Sequence, residues 1–264
     1  MSRPLWQVDL FRRSHPTPFT ARLTRIPLLG KLAKRLLFED DDIVFIPMNE
    51  SIDPEENIAL PSDIVRHFVK VAGHRWIMNE CICRAAKECK DHPIELGCVF
   101  LGEAVLGINP ALGRLASAEE TLEHVDKCEE AGLVHLIGRN KLDSVWLNVK
   151  PADKLLTICN CCNCCCLWKI LLPNAYPSIV ESVRRPEGLE VVVSDACVGC
   201  GTCSETCFSQ SITVQDEKAV ISDTCIGCGR CIPLCPQKAI RVSIASPESF
   251  HDDLIRKISS LVQV

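Results

Sequence analysis

Four stretches of the chain place apolar residues at helical spacing. Ile64, Val65, Phe68, Val69 and Val71 follow Ser62, which suits a helix N-cap. Leu122, Val125 and Cys128 form a stripe behind Ser117 and Glu120, whose separation is that of a capping box, and Gly132 ends the pattern. Pro27 to Phe38 begins with proline at the first helical position and gathers Leu29, Leu32, Ala33 and Leu36 on one face, with Lys31, Lys34 and Arg35 toward the polar side. Near the end, Ser246 and Pro247 introduce Phe250, Leu254, Ile255, Ile258 and Leu261. Shorter apolar runs predict strands. These are Glu190 to Val193, a hairpin over 211–221 turning at Asp216-Glu217, and Ala239 to Ile244. Leu133 to Ile137 and Ser144 to Val149 read as two further strands joined by residues 138–143. The sum is an α+β chain. A helix followed by a hairpin also suits the end of a winged-helix unit. That segment has no concentrated basic patch, so no nucleic-acid partner is expected.

Charge divides the chain unevenly. Residues 1–37 carry eight Lys or Arg against Asp9 alone, so with a chain total of −5 the remainder holds −12. The change is abrupt at Glu39-Asp40-Asp41-Asp42. Trp6, Leu10, Phe11 and Phe19 are interleaved with Arg12, Arg13 and Arg22 in this basic arm. Three roles suit it: peripheral contact with anionic lipid, docking to a partner subunit, or a cover over the core with its charges solvated. No signal-peptide pattern and no apolar run of bilayer length stands in the sequence. The expected location is the cytoplasm, with the inner face of the membrane as a variant.

Nineteen cysteines dominate the chemistry. The number is odd, and the run Cys159, Cys161, Cys162, Cys164, Cys165, Cys166 is too dense to pair locally. Thiolate ligation of soft metals in a reducing compartment fits better than a disulfide framework. Eight cysteines form two runs of C-x2-C-x2-C-x3-C: Cys197, Cys200, Cys203, Cys207, and then Cys225, Cys228, Cys231, Cys235 before Pro236. This unit resembles the two-cluster bacterial ferredoxins. The resemblance implies one [4Fe–4S] cluster on Cys197, Cys200, Cys203 and Cys235, and a second on Cys225, Cys228, Cys231 and Cys207. Phe208 stands where the second run has Pro236, placed either to shield a cluster or to fill the unit's core.

Ten further cysteines fall in two blocks: Cys81, Cys83, Cys89 and Cys98, then Cys159, Cys161, Cys162, Cys164, Cys165 and Cys166. They suffice for one or two additional Fe–S clusters. Structural zinc and a disulfide or bare-thiol site are the competing readings, although C-x-C and C-C spacings suit zinc knuckles poorly. Neighbours such as Cys161 and Cys162 point to opposite sides of an extended backbone and so serve different centres. Arg84, Lys87 and Lys90 are placed to relieve thiolate repulsion. Cys128, on its apolar stripe, reads as a core residue. The stretches Cys81 to Gly102, Glu129 to His135 and Ile158 to Cys166 are similar to a family of cysteine-rich Fe–S proteins from anaerobes, for which a role in electron transfer is implied.

The expected organisation is a basic arm and linker (1–60), a cysteine-rich domain (61–188), a dicluster ferredoxin domain (189–245) and a closing helix (246–264). The sequence contains no G-x-G-x-x-G, Walker, H-E-x-x-H or G-x-S-x-G motif, and His92 and His135 read as ordinary surface or core residues. An electron-transfer protein serving a redox partner, or an oxidoreductase subunit, is the expected function. A reductase using an open-site cluster or reactive thiols is the alternative, and a redox sensor a third.

Overall fold

The computed structural model describes residues 2–47 and 61–263. Part of the expected linker, and with it the boundary at residue 60, lies outside the described residues.

The chain opens with α1 (Leu5–Arg13), α2 (Pro18–Leu23) and α3 (Pro27–Ala33), the last running into a π-helical turn, Lys34–Phe38. Then come β1 (Asp42–Ile46), α4 (Pro61–Val71), β2 (Arg75–Met78), α5 (Ile82–Ala86), β3 (Val99–Leu101) and β4 (Gly113–Leu115). The middle of the chain supplies α6 (Ala118–Glu130), β5 (Val134–Arg139), α7 (Lys141–Leu147), β6 (Leu156–Cys161), α8 (Leu167–Leu171), α9 (Pro177–Val180) and β7 (Val183–Arg184). These strands make one sheet in the order β4-β2-β3-β6-β5-β1-β7, antiparallel except where β1 meets β7.

Both faces of this sheet are covered, which explains why its strands read as short apolar runs rather than clean alternations. Val44, Ile46, Val99, Leu101, Ile137 and Ile158 face α4 and α6. The same layer takes Phe250, Leu254 and Ile258 of the last helix, α11 (Pro247–Leu261). On the opposite face, Ile43, Phe45, Val134, Leu136 and Cys161 meet Ala21 of α2 and Trp168 and Leu171 of α8. Trp76, Met78 and Phe100 continue that layer against Val8 of α1 and Trp146 and Leu147 of α7.

The capping box at α6 forms in both directions, Ser117 with Glu120. Ser62, by contrast, lies inside the first turn of α4 rather than ahead of it. The expected strand at Ser144 to Val149 is instead α7 and the turn after it. The alternation there is misleading because the helix is fixed by distant partners. The first N–H of α7, on Lys141, has no partner within the helix and donates to Asp41 Oδ1 at 2.6 Å, from a hundred residues upstream. Within the turn, Trp146 Nε1 donates to Asp143 Oδ1 at 2.8 Å, and Asn148 ends the helix in the left-handed conformation. With no second strand there is no hairpin and no winged helix; β5 pairs β1 and β6 instead.

The basic arm lies across the body with the leucine face of its third helix turned outward. Gly30 is buried against Tyr176, where a Cβ would come within 2.5 Å of the ring. That close approach rolls α3 so that Leu29, Leu32 and Leu36 point outward, while Phe38 is buried and Ala33 and Leu37 are half-buried. Trp6, Phe19 and Leu28 are 66%, 71% and 77% exposed. No helix among the described residues is long and apolar enough to cross a membrane.

The C-terminal cysteine module is built from β8 (Leu189–Val193), α10 (Thr202–Thr206), β9 (Ile212–Gln215), β10 (Lys218–Ile221) and β11 (Ile240–Ile244). β8 pairs antiparallel with β11, and β9 with β10 across a two-residue turn at Asp216 and Glu217, both at positive φ as such hairpins require. The first cysteine loop packs on this turn. Gly199 (φ +64°) lies where a Cβ would stand 2.6 Å from the Glu217 backbone. Phe208 does not fill the module's own centre. It is fully buried between module and sheet, its ring 5.1 Å from that of Phe45.

Two outcomes follow. Phe208→Ala opens a cavity at the junction and is expected to cost about 3–5 kcal/mol, read as a lowered thermal midpoint with the iron content of the surviving folded protein unchanged. Burial pushes the Asp41 carboxyl up to about 7, against the bond from the Lys141 N–H. A carboxyl raised in the folded state favours folding most at low pH, and that contribution is lost as pH rises toward 7. Asp41→Asn keeps the acceptor and removes the charge. Its stability should equal wild type near pH 4 and exceed it increasingly up to pH 7, by at most roughly 1.4 kcal/mol per pH unit, as read from denaturation midpoints of the two proteins across that range.

Candidate metal centres

In the C-terminal module the fold gathers cysteines across the two runs. Cys197, Cys200, Cys203 and Cys235 line one small cavity together with Ala219 and Ile240. Cys225, Cys228, Cys231 and Cys207 form the second group, close enough that charge on Cys225, Cys228 and Cys207 adds to burial in raising the Cys231 thiol. Each loop is turned by two glycines at positive φ, Gly199 and Gly201 in the first, Gly227 and Gly229 in the second. Backbone N–H groups point at the sulfurs. Ala219 donates to Cys197 at 3.4 Å, Ser211 to Cys207 at 3.2 Å and Ala239 to Cys235 at 3.3 Å. Such donors stabilise thiolate charge.

The groups differ in exposure. Cys200 lies at the surface beside exposed Val198. Cys228 is half-buried and packs, with buried Phe208 and Ile226, in the same apolar cluster as Cys161, Cys166 and Trp168. The second group therefore abuts the large sheet domain, and the first faces outward.

The ten remaining candidates divide six and four. Cys81 starts α5, Cys98 precedes β3, Cys159 and Cys161 stand two apart on β6, and Cys166 precedes α8. With Cys83 they surround a cavity of about 380 Å³. Cys98 and Cys159 are 3.6 Å apart, Cys161 and Cys166 3.2 Å. The second set is Cys89, Cys162, Cys164 and Cys165, whose sulfurs all lie within 4.8 Å of one another. Cys161 and Cys162 thus part company at the end of β6, as the extended backbone there requires. Cys162 still borders the cavity wall while its sulfur belongs to the smaller set.

Charge balance around these sulfurs rests on Arg84. Its side chain is fully buried. It donates from Nη1 to the Asn160 carbonyl at 2.8 Å and from Nη2 to the Leu96 carbonyl. Among the described residues no carboxylate pairs with it; the charged groups acting on it are Cys81, Cys162 and Cys98. A buried guanidinium needs an anion, and the cysteine sulfurs beside Arg84 can supply it. Lys87 and Lys90, by contrast, lie at the surface. Burial pushes the Cys166 thiol up to about 11, whereas hydrogen bonds from Cys83 and Cys98 hold Cys81 well below the ordinary range. Soft, buried donors with protons to lose and a fixed cation beside them suit a thiolate-bound metal centre.

Several residues of the cavity wall carry no signal in the sequence. Phe11, His15 and Ala21 of the arm close one side, so the basic segment is part of the site. Asp143, buried beside the cavity, accepts hydrogen bonds from Asn140, Trp146 and Thr157; burial raises its carboxyl to about 6. His135 is a core residue, bonded through Nδ1 to Asn160 Oδ1 at 2.8 Å. Its Nε2 lies 3.4 Å from Glu129 Oε1, so both ring nitrogens meet polar partners in the core.

A family model described as the LdpA Fe-S cluster-binding domain matches residues 203–245. No curated protein and no solved structure matches the chain. The matched segment holds six of the eight cysteines of the paired runs and ends just beyond β11. The C-terminal module is an iron–sulfur cluster-binding domain, and the protein an iron–sulfur protein.

Cys128 is buried against Leu133, Cys162 and Cys165, and its thiol is pushed up to about 12 by burial. It stays a neutral core side chain. Cys128→Ala is expected to leave iron and acid-labile sulfide per chain unchanged, measured on anaerobically purified protein; loss of either would make it a ligand.

Proposed function

We propose that the protein relays electrons between a surface-docked redox partner and an internal thiolate-held centre. Two [4Fe–4S] clusters belong to the C-terminal module, and one further Fe–S cluster to the six-cysteine cavity. Bound clusters of this kind each accept and release a single electron. The observation that carries the reading is the order of exposure along the cysteine groups. Cys200 and Val198 offer an outer end to a partner. Cys228 with Phe208 and Ile226 packs against Trp168, Cys161 and Cys166, which leads into the cavity without crossing water.

The residues around each group have separate tasks. Gly199 and Gly201, and their counterparts Gly227 and Gly229, turn the loops so that backbone N–H groups meet sulfur. Arg84 offsets negative charge at the inner group. Phe11, Phe38 and Trp168 keep water out of the cavity. Thiolate-only ligation in an apolar wall favours low potential, since burial disfavours the more negative reduced state while the N–H donors and Arg84 oppose that effect. A reducing, cytoplasmic setting suits free thiols in this number.

The reductase alternative has one observation in its favour. The cavity offers six cysteines where a cubane takes four, and about 380 Å³ to hold the cluster with any ligand. Iron and sulfide analysis decides the main reading. About twelve iron per chain supports two clusters in the module and one in the cavity, at four iron per cubane. About eight would remove the internal cluster and leave a plain two-cluster protein. Spectral perturbation of the twelve-iron form by an added disulfide would favour the reductase.

A further inference from the structure

The geometry points to a single tetrahedral metal ion, zinc or iron, bound by Cys89, Cys162, Cys164 and Cys165 without sulfide. This site is separate from the cavity and does not depend on the relay reading. Its four sulfurs come from two segments, the loop after α5 and the turn after β6, and lie within 4.8 Å of one another. Cys89 and Cys164 are 3.5 Å apart, Cys164 and Cys165 3.6 Å. Four thiolates on one ion at a metal–sulfur distance of about 2.3 Å stand roughly 3.8 Å from each other, by tetrahedral geometry. A cubane interposes iron and sulfide between its thiolates and holds them further apart. Single pairs in the six-cysteine set are as close, Cys98–Cys159 at 3.6 Å and Cys161–Cys166 at 3.2 Å, but that set borders about 380 Å³ of open volume. In the four-cysteine set every sulfur lies within 4.8 Å of every other, which leaves room for one ion.

The local chain conformation agrees. Within Cys162-Asn163-Cys164-Cys165 the first and last cysteines have the C-x2-C spacing of a metal knuckle. The knuckle bond is present: Cys165 N–H donates to Cys162 Sγ at 3.3 Å. Read along the sequence, C-C-x-C-C-C hides this spacing because Cys161 and Cys166 belong to the other set. The second, independent observation is Arg84. Its buried guanidinium, without a carboxylate, lies beside Cys162 and reaches toward Cys81 and Cys98 of the cavity. One ion with four thiolates carries two net negative charges, so this cation has its anion. On binding, each of the four cysteines enters as thiolate, the thiols among them releasing their protons, and no oxidant or reductant is consumed.

Such an ion would tie the loop after α5 to the turn after β6 and hold Arg84 between the two centres. Its role is structural and electrostatic rather than catalytic, because Cys89, Cys162, Cys164 and Cys165 fill all four positions.

The test compares metal with sulfide in the full-length protein purified anaerobically. Cubanes contain iron and sulfide in equal number, so the wild type should show iron plus zinc exceeding acid-labile sulfide by about one per chain. Equality of the two would overturn the proposal, whatever the number of cubanes; a total near eight iron would instead weigh on the relay reading. Cys164→Ser, at an exposed position, should lose about one metal ion and no sulfide. Loss of about four iron and four sulfide would assign these cysteines to a cluster, and loss of nothing would make them bare thiols. Where Cys164→Ser fails to accumulate, Cys89→Ser on the other segment gives the same comparison. Zinc-edge absorption showing four sulfurs near 2.3 Å identifies zinc; an iron decrease of one with sulfide constant identifies iron.

Discussion

The structure depends on gathering ten cysteine sulfurs beside one sheet, most of them buried or half-buried, without mutual repulsion. Thiolates buried together are unfavourable, and a buried cation with no partner is equally so; each problem is the other's answer. Arg84 sits where both sets of cysteines come nearest, fully buried, its hydrogen bonds going to the carbonyls of Asn160 and Leu96. Those two carbonyls belong to the strand and loop that carry or flank Cys159, Cys161 and Cys98. The guanidinium therefore fixes the backbone that presents the ligands as well as balancing their charge. A lysine there would keep the charge and lose the planar fork that reaches both carbonyls.

The sheet explains the division of labour among the cysteines. β6 lies between β3 and β5, so its register fixes Cys159 and Cys161 on the face toward α2 and α8. The next residue leaves the ladder, and the turn after it throws Cys162, Cys164 and Cys165 to the side where the loop after α5 brings Cys89. One strand end thus feeds two cysteine groups of different shape, one around an open cavity and one tight. Cys128 lies against the tight one yet stays neutral, because it is packed with Leu133, Leu96 and Ala131 and burial raises its thiol.

How much of this was legible in the sequence varied with the range of the forces involved. The Ser117–Glu120 capping box, the Asp216-Glu217 turn and the stripe of α11 are local, and each formed where the pattern placed it. The eight cysteines of the paired runs were likewise legible as an iron–sulfur motif, since their spacing is a property of short loops. Failures came where tertiary partners decided. α7 looked like a strand because Asp41, which holds its first N–H, stands a hundred residues away. The leucine face of α3 left lipid contact, partner docking and a core cover open, because the pattern cannot show that Gly30 is the point of closest approach to Tyr176. The grouping of C-C-x-C-C-C into two sets was beyond reach for the same reason: it depends on which strand neighbours stop pairing, and where.

The arm changes meaning most in the folded protein. By charge it is a separate basic appendage; by position it is a wall of the central cavity, contributing Phe11, His15, Ala21 and Phe38. Phe11, His15, Ala21 and Phe38 line the cavity, while Trp6, Phe19 and Leu28 face outward. Any contact made by the exposed Trp6, Phe19 and Leu28 therefore acts on a segment whose inner side touches the cysteine site. The asymmetry that first marked residues 1–37 as a tail is thus better understood as the two sides of one cavity wall, with Trp6, Phe19 and Leu28 outside and Phe11, His15, Ala21 and Phe38 within.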